Sequence, residues 1–418
     1  MATVILRGNI VQALKLNELA FRPHGYLVAE EGRIVGVFDE LPQKYAQAGV
    51  SDYGDAYITP AFVEMHLHAP QYPMLGMGMD LQLIDWLNTY TFPLEARFSD
   101  PGFAREVYRA LSRDLISCGT TRVCMFSSLH TDSTLILMEE LESAGVTGYV
   151  GKVCMDRNGG EGYEETTEGS KHETLRWLDE CGRFTRIKPM ITPRFTPSCT
   201  NELMEWLGKL ANERGLPVQS HLSENHREIE WVRELHPDCA EYWQTYDKYG
   251  LWKQGTVMGH CVHSTDTERA AMKRAGVTVA HCADSNMNIA SGIAPVRKML
   301  EEGVNVALGS DIAGGATLSM LDTAALSVRA SKIRHYAHPD EAFLTVKEAF
   351  YLITTAGQKY FGAGAGFAPG DELHAVVMDR SGFPPSGCFT DEEQFDRMIY
   401  LAKEQNIKAV YSAGTKVK

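Results

Sequence analysis

The sequence predicts an α/β protein: a central (β/α)8 barrel of the TIM type, with a small β-sandwich domain built from both chain ends. Two observations carry this prediction. From about residue 60, short apolar runs alternate with amphipathic helical segments, and eight such runs can be counted. Near-continuous apolar strands separated by helices are typical of a parallel sheet that helices cover. The two chain ends lack this alternation and contain short strand-like runs and turns.

The amino-terminal part, residues 1–59, predicts a small β element. Residues 4 to 38 contain two strand-like stretches, with a tight turn at Glu31-Gly32. The carboxy-terminal part, residues 366–418, begins with a turn and continues as a strand. We expect this strand to rejoin the amino-terminal sheet, so that both ends of the chain build one domain.

The central part, residues 60–365, contains the alternating pattern. A helix is expected to begin at Asp100-Pro101 and to end at Gly119, and Thr265 with Glu268 has the spacing of a capping box. The eight expected strands are 61–68, 120–127, 148–155, 187–194, 217–223, 256–260, 277–282 and 304–310.

Composition excludes several classes of function. The net charge is −14 and no run rich in lysine and arginine occurs, which argues against nucleic-acid binding. No leader-like segment or apolar run of about 18 residues is present, so we expect a soluble cytoplasmic protein without membrane association. The nine cysteines form no Cys-x-x-Cys pair, which argues against a disulfide framework or a structural zinc site.

Candidate metal ligands stand at the ends of four expected strands. His66 and His68 alternate on the first strand and therefore share a face. The fifth strand ends in His221, the sixth in His260 and the eighth in Asp311. Taken singly, each has an ordinary explanation as a core residue or a helix cap. Because the carboxyl ends of barrel strands meet at one mouth, together they predict a catalytic zinc site with a position open for water.

Six stretches of the sequence together resemble the guanine deaminases, within the amidohydrolase superfamily. The resemblance covers nearly the whole chain. His-x-His is shared by the whole superfamily, whereas WLNTYTFP and TPRF are closer to the guanine deaminases in particular. The stretches are PAFVEMHLHAPQ at 60–71, LIDWLNTYTFPLEAR at 83–97, GKVCMD at 151–156, TPRF at 192–195, SHLSEN at 220–225 and LGSD at 308–311.

This resemblance implies one zinc ion per subunit, a homodimer, and hydrolysis of guanine to xanthine and ammonia. Zinc lowers the pKa of water enough to supply hydroxide near neutral pH, and the hydroxide would attack C2 of guanine. Glu224 would carry a proton to the ring nitrogen N3 and later to the departing amine. Asp311 would bind zinc and accept a proton from the water. His260 would be either a further ligand or a hydrogen-bond partner of that water.

Substrate selection requires groups that distinguish guanine from adenine. An arginine fork at Arg194 matches the two acceptors O6 and N7 of guanine, whereas adenine would present an amino donor to the same fork. The amide of Gln71 can bind another polar edge, and Phe195 or Trp86 can stack on the ring. His221 would lie beside the substrate as well as the metal.

Two further features of the sequence concern access to the site and the number of metal ions. Residues 69 to 98 form a long connection that we expect to cover the barrel mouth. Lys188 stands at the beginning of the fourth strand, the wrong end to bridge two metals, so one metal is favoured.

Two other interpretations stay open: a deaminase or dechlorinase of another nitrogen heterocycle, such as 8-oxoguanine, a pterin or a triazine, and a non-catalytic barrel scaffold.

Overall fold

Helices and strands alternate through the middle of the chain, whereas strands predominate near its two ends. The structure is a computed structural model that describes residues 3–160 and 162–418. The strands are β1 (Thr3–Lys15), β2 (Glu18–Glu30), β3 (Arg33–Phe38), β4 (Ser51–Pro60), β5 (Phe62–His68), β6 (Thr120–Phe126), β7 (Thr147–Gly151), β8 (Val153–Cys154), β9 (Ile187–Pro189), β10 (Thr192–Pro193), β11 (Val218–Leu222), β12 (Thr256–His260), β13 (Thr278–His281), β14 (Asn305–Leu308), β15 (Ala375–Met378), β16 (Ile407–Ser412) and β17 (Thr415–Lys416).

The α-helices separate the strands of the central part and cover them. They are α1 (Leu83–Trp86), α2 (Phe92–Ala96), α3 (Pro101–Ser117), α4 (Thr131–Ser143), α5 (Thr167–Glu180), α6 (Asn201–Glu213), α7 (His226–Leu235), α8 (Gln244–Asp247), α9 (Asp266–Ala275), α10 (Ala283–Asn288), α11 (Val296–Glu302), α12 (Met320–Ala337), α13 (Val346–Ile353), α14 (Thr355–Tyr360) and α15 (Asp391–Leu401). Within the described ranges, none of these helices has both the length and the apolar character needed to cross a membrane.

Both ends of the chain contribute strands to one sheet. Within the described residues its order is β17-β16-β15-β4-β1-β2-β3. The pair β1 and β4 is parallel, and β15 joins β4 in antiparallel fashion. The predicted turn after β2 is present, and Glu31 and Gly32 both have positive φ, at 51° and 78°. The protein is thus a mixed α/β chain in which β15 places the carboxy-terminal strands beside the amino-terminal ones.

The central part contains two four-stranded parallel sheets, β5-β6-β7-β9 and β11-β12-β13-β14, and the short pair β8 and β10. Every one of the eight expected segments contains a strand, but two of them are interrupted. The segment 187–194 divides into β9 and β10, and Pro189 and Pro193 stand at their ends. Proline has no N–H to donate to a ladder, which explains the interruption there.

Backbone hydrogen bonds link residues at or next to the edge strands of the two parallel sheets, and one of these residues, Ile191, lies between β9 and β10. On one side Asp311 N donates to His66 O at 2.8 Å and His68 N donates to Ile312 O at 3.1 Å. On the other side Gln219 N donates to Ile191 O at 2.9 Å. The carboxyl ends of β5 and β14 are therefore neighbours. Ser310 N also donates to Glu64 Oε1 at 3.0 Å, although the two residues are 246 positions apart in the sequence.

The helix α3 illustrates how local sequence sets these boundaries. Asp100 accepts a hydrogen bond from Gly102 N at its start, and Pro101 occupies the first helical position. The face that includes Tyr108 and Leu111 is fully buried. The chain leaves the helix through Gly119, whose φ of 85° suits glycine. This is the helix expected from the sequence, and it leads directly into β6.

The connection after β5 forms its own short elements. A 3-10 turn covers Ala69–Met74, and α1, a π-helical turn at Leu87–Thr91 and α2 follow one another without a break. Gly76 and Gly78 precede them, with φ of 77° and 72°. We refer to residues 69–98 as the cover segment.

Candidate active site

The strand ends bring together the five side chains predicted to bind metal. His68 Nε2 lies 3.0 Å from His221 Nε2. Asp311 Oδ1 lies 3.3 Å from His66 Nε2 and 3.5 Å from His68 Nε2, and Asp311 Oδ2 lies 3.7 Å from His260 Nε2. All five side chains are buried. Side chains from β5, β11 and β12 and from the loop after β14 therefore converge on one point.

Two glycines make room for His66 at the centre of this cluster. A Cβ atom on Gly259 would stand 2.6 Å from His66 Cε1, and one on Gly309 would stand 2.7 Å from His66 Cβ. Either contact would force the imidazole or the backbone to move. Two of the candidate ligands, His260 and Asp311, have positive φ, at 70° and 50°. Such left-handed conformations turn the chain sharply where a strand ends.

The protonation states of three of the four imidazoles and of the carboxylate suit a metal ion. The exception is His260, because burial would lower its pKa but Glu224 and Asp311 outweigh burial and raise it. Burial lowers the pKa of His66 and holds the pKa values of His68 and His221 well below normal, so their rings are neutral. Burial alone would raise the pKa of Asp311, but His260 and His66 outweigh it and hold that pKa well below its usual range. Neutral imidazoles and a carboxylate are the forms that bind metal.

Unpartnered nitrogens provide a second test of fit. Among the described residues, both ring nitrogens of His66 and Nδ1 of His68 are buried without a hydrogen-bond partner. Buried polar atoms are nearly always satisfied, and a metal ion would satisfy those that face the cluster. Two groups, His66-His68-His221 and His66-His260-Asp311, have ligand atoms within 4.8 Å of one another. The donor set therefore fits a metal ion held by imidazole and carboxylate.

Hydrogen-bond partners of Nδ1 orient the rings of His221 and His260 so that Nε2 faces the cluster. His221 Nδ1 lies 2.5 Å from the carbonyl oxygen of Arg194, and His260 Nδ1 lies 2.8 Å from Asn286 Oδ1. Each contact directs Nε2 towards the cluster, as is usual for metal-binding histidines. His260 Nε2 is near both Asp311 and Glu224, so its position suits a metal ligand and also a partner of the attacking water.

Glu224 lies beside the cluster in a position suited to carry protons. Its Oε2 is 3.5 Å from His260 Nε2, and Ser291 Oγ donates to its Oε1 at 3.2 Å. Burial raises the pKa of Glu224 to about 8, with His260 acting in the opposite direction. A carboxyl group with such a pKa can both hold and release a proton near neutral pH. The helix α7 begins two residues later, at His226.

A cavity opens onto this cluster. All five residues predicted to contact substrate line it, together with the candidate ligands His68, His260 and Asp311 and the candidate proton carrier Glu224. His66 lies behind them. Four further lining residues were not predicted from the sequence: Leu83, Leu87, Glu228 and Ile289. Leu83 and Leu87 are close to Trp86 in the sequence, at helical spacing from each other, and this could have indicated that they share its face.

Sequence reasoning also missed Glu95, a buried carboxylate on α2. Arg194 Nη1 donates to Glu95 Oε2 at 2.6 Å, and Arg194 Nη2 donates to Oε1 at 3.0 Å. Gln71 Nε2 donates to the same Oε1 at 2.8 Å. Glu95 lies within the LIDWLNTYTFPLEAR stretch, but nothing in the sequence indicated which side chains it would meet.

Comparisons with known proteins cover almost the entire chain. The family model described as "Amidohydrolase family" matches residues 57–417. Guanine deaminase of Dictyostelium discoideum is 34% identical, with 99% of this chain and 98% of that protein covered. Guanine deaminase of Rattus norvegicus is 39% identical, with 99% and 96% covered. A crystal structure of guanine deaminase from C. acetobutylicum with bound guanine has a TM-score of 0.97 at 40% identity, covering 99% of this chain and 100% of that one.

Proposed function

This chain belongs to the amidohydrolase family and, within it, to the guanine deaminases, and on that basis we propose that it hydrolyses guanine to xanthine and ammonia. One observation carries the proposal. A single cavity is lined by metal-binding side chains, by the proton carrier Glu224 and by the donors of Arg194 and Gln71. Each part of a deamination site therefore faces the same enclosed space.

The cluster at the strand ends is proposed to hold one zinc ion per chain. His66, His68, His221 and Asp311 supply the ligands, and His260 is either a further ligand or the residue that holds the water. The chemistry that zinc supplies when bound is the activation of water for attack on C2 of the base. Imidazole and carboxylate donors match zinc among the common divalent ions.

Two carboxyl groups are proposed to manage the protons. Asp311 accepts a proton from the attacking water, and its low pKa keeps it ionised beforehand. Glu224 gives a proton to N3 of the ring, takes up the proton that the added hydroxyl group loses as the C2 carbonyl forms, and passes that proton to the departing amine. The proton held by Asp311 then returns to Glu224 and restores the starting state. His260, between the two carboxyl groups, orients them through its contacts of 3.5 and 3.7 Å. In the overall reaction one water replaces the amino group, which leaves as ammonia.

Recognition of the base is proposed to depend on the remaining lining residues. Arg194 donates to O6 and N7 of guanine, and Gln71 binds a further polar edge. Phe195 and Trp86 are both buried and provide apolar surface against which the ring can stack. His221 contacts the base from the metal side. An adenine ring would place an amino donor against the Arg194 donors.

The finer architecture is also a proposal. We infer that residues 60–365 form a closed (β/α)8 barrel, and that residues 1–59 and 366–418 form a small β-sandwich domain. The backbone hydrogen bonds from Asp311 to His66 and from Gln219 to Ile191 support closure, since they join residues at or next to the edge strands of the two parallel sheets.

A homodimer remains a prediction from the resemblance, and a cytoplasmic location remains a prediction from the sequence. Light scattering at micromolar concentration tests the oligomeric state, and a monomer would contradict it. Cell fractionation tests the location.

A panel assay of ammonia release tests the proposed activity. Guanine, adenine, cytosine, 8-oxoguanine, a pterin and a triazine are compared at equal concentration with the zinc-loaded protein. We expect guanine to give the highest kcat/KM, because adenine lacks the O6 acceptor. Equal or faster turnover of another heterocycle would reject guanine as the substrate, and no turnover of any compound would favour a non-catalytic scaffold.

A further inference from the structure

Glu95 lies behind the cavity wall and contacts two of the proposed substrate-binding residues. Its side chain is fully buried, and in the described part of the chain it is not among the residues that line the cavity. It accepts three hydrogen bonds, two from Arg194 and one from Gln71. Glu95 comes from α2 of the cover segment, whereas Arg194 follows β10 and Gln71 follows β5. One carboxylate therefore joins the two ends of the cover segment to the chain that follows β10.

The contact with Arg194 determines which side of the guanidinium is left for a ligand. Glu95 takes one hydrogen from each terminal nitrogen, at 2.6 and 3.0 Å. The side of the group that carries Nε–H and the second Nη2 hydrogen keeps a two-donor fork. That fork matches two neighbouring acceptors on a flat heterocycle. The ring of Phe92, 5.1 Å from Arg194 Cζ, packs against the same guanidinium.

The contact with Gln71 determines the orientation of its amide. Gln71 Nε2 donates to Glu95 Oε1 at 2.8 Å, and Gln71 Oε1 accepts from Ala313 N at 3.1 Å. A flipped amide would set its oxygen against the carboxylate and its NH2 group against the N–H of Ala313, and both hydrogen bonds would be lost. The second Nε2 hydrogen is therefore the donor that remains for a ligand.

We propose that Glu95 is a positioning residue that sets substrate specificity through Arg194 and Gln71. It holds the two side chains as a fixed array of N–H donors, which favours a purine with an oxygen at C6 and disfavours one with hydrogen or an amino group there. This inference rests on the proposed function. It adds that the discrimination depends on a residue that does not contact the substrate.

The test compares two substrates that share the leaving group. Guanine and 2-aminopurine both carry the 2-amino group, but 2-aminopurine has no oxygen at C6. In Glu95→Gln we expect kcat/KM for guanine to fall about 10- to 100-fold, because the charged hydrogen bonds that hold Arg194 and Gln71 in place are lost. The value for 2-aminopurine should fall by a clearly smaller factor, because that base keeps N7 but has no oxygen at C6 and so has fewer contacts with the array to lose. If its turnover is too slow to measure, its inhibition constant replaces kcat/KM.

A second variant guards against misfolding. Glu95→Gln leaves the buried Arg194 without a countercharge, which can prevent folding. Glu95→Asp keeps the charge but is shorter, so it cannot reach Arg194 and Gln71 together. We expect it to fold and to lower the ratio of guanine to 2-aminopurine in the same direction, by about 3- to 10-fold.

Glu165 offers a matched control. It forms a part-buried ion pair with Lys152 Nζ at 2.9 Å, and among the described residues its side-chain partners do not include Arg194 or Gln71. Glu165→Gln should lower the melting temperature and leave the substrate ratio unchanged. If both Glu95 variants reduce the two substrates by equal factors, at unchanged zinc content, Glu95 is only structural and the inference is overturned. Failure of the wild-type protein to deaminate guanine would instead reject the proposed function, and the inference with it.

Discussion

At the level of single residues, burial keeps three of the four imidazole rings in the cluster neutral. Burial lowers the pKa values of His66, His68 and His221, and partners behind His221 and His260 direct their inner nitrogens. A protonated ring in this cluster would compete with a metal ion for the same lone pair. We therefore expect metal binding and activity to require the same set of side chains.

Replacement of Glu224 separates proton transfer from metal binding. Glu224→Gln keeps the shape of the side chain but cannot donate and accept a proton in turn. We expect kcat for guanine to fall at least about 100-fold, with zinc content unchanged. Steady-state kinetics and metal analysis on one preparation measure both quantities. A variant with the wild-type kcat would show that Glu224 is not the proton carrier.

Replacement of Asn286 tests the partner of His260. Asn286→Ala removes the acceptor that lies 2.8 Å from His260 Nδ1. We expect the affinity for zinc to fall about 10- to 100-fold, because such partners orient the ring. Competition with a chelator measures the affinity. The remote Asn212→Ala, on α6, is the control, and equal affinities in the two variants would count against this role.

Sequence patterns predicted that the five candidate ligands would converge, but they did not predict the residues that contact them from behind. Histidine and aspartate at strand ends are informative because parallel strands must place their carboxyl ends together. Glu95, Ser291 and Asn286 act through partners distant in the sequence, and their contacts depend on the path of loops. A hydrogen bond such as that between Ser291 and Glu224 spans 67 positions and leaves no periodic signal.

At the scale of elements, the cover segment closes the cavity with side chains from a short irregular helix. Leu83, Trp86 and Leu87 line the cavity, and Trp86 Nε1 donates to Met77 O at 3.0 Å. Asp85 also pairs with Arg227 of α7 at 3.1 Å. This ion pair is exposed, so we assign it little energy. The position of the helix depends mainly on its packing.

Two nearby glycines allow a controlled test of that packing. Gly76 and Gly78 both have positive φ, so an alanine strains the backbone similarly at either position. A Cβ on Gly78 would meet Tyr90 Cδ2 at 2.6 Å and Trp86 Cδ1 at 2.9 Å, whereas one on Gly76 would have nothing within 4 Å. We expect Gly78→Ala to raise KM for guanine about 3- to 10-fold more than Gly76→Ala.

Steady-state kinetics on the two glycine variants measure this difference, and zinc content should stay equal in both. Equal KM values would mean that the contact of Gly78 with Trp86 does not position the cover segment. A loss of zinc in Gly78→Ala would show instead that the change reaches the metal cluster.

Element boundaries were predictable where one pattern dominated. The helix α3 has both a start signal and a glycine at its end, and its bounds were expected closely. The segments 148–155 and 187–194 were expected as single strands, and each is divided in the structure. Apolar composition alone does not reveal such breaks, although the two prolines of the second segment were a warning.

At the scale of the whole molecule, the carboxy-terminal helix α15 ties the end sheet to the central part. Phe395 is fully buried, and its ring lies 5.8 Å from Phe21 of β2, 5.5 Å from Tyr57 of β4 and 4.8 Å from Phe350 of α13. These edge-to-face contacts connect segments from both ends of the chain with a helix of the middle.

Replacement of Phe395 tests this connection. Phe395→Ala should lower the free energy of unfolding by about 3–5 kcal/mol, because it removes a large buried ring. Phe389→Ala is the matched control, since that ring is 49% exposed, and we expect a loss within about 0.5 kcal/mol. Equilibrium denaturation measures both values. Equal losses would show that α15 contributes little to holding the ends and the middle together.

The sequence predicted that both chain ends form β structure, but it did not predict which strands of the two ends pair. The strand-like pattern after residue 365 indicated a return to β structure, but the pairing of β15 with β4 is set by packing. The order of strands depends on contacts that no short stretch of sequence contains.

The central claim is that one divalent ion binds where His66, His68, His221, His260 and Asp311 converge. Titration of metal-depleted protein with zinc, with bound metal and guanine hydrolysis measured on the same samples, tests it most directly. We predict that activity rises in proportion to bound zinc and reaches its maximum at one ion per chain. Full activity without metal, or a maximum only at two ions per chain, would contradict the claim.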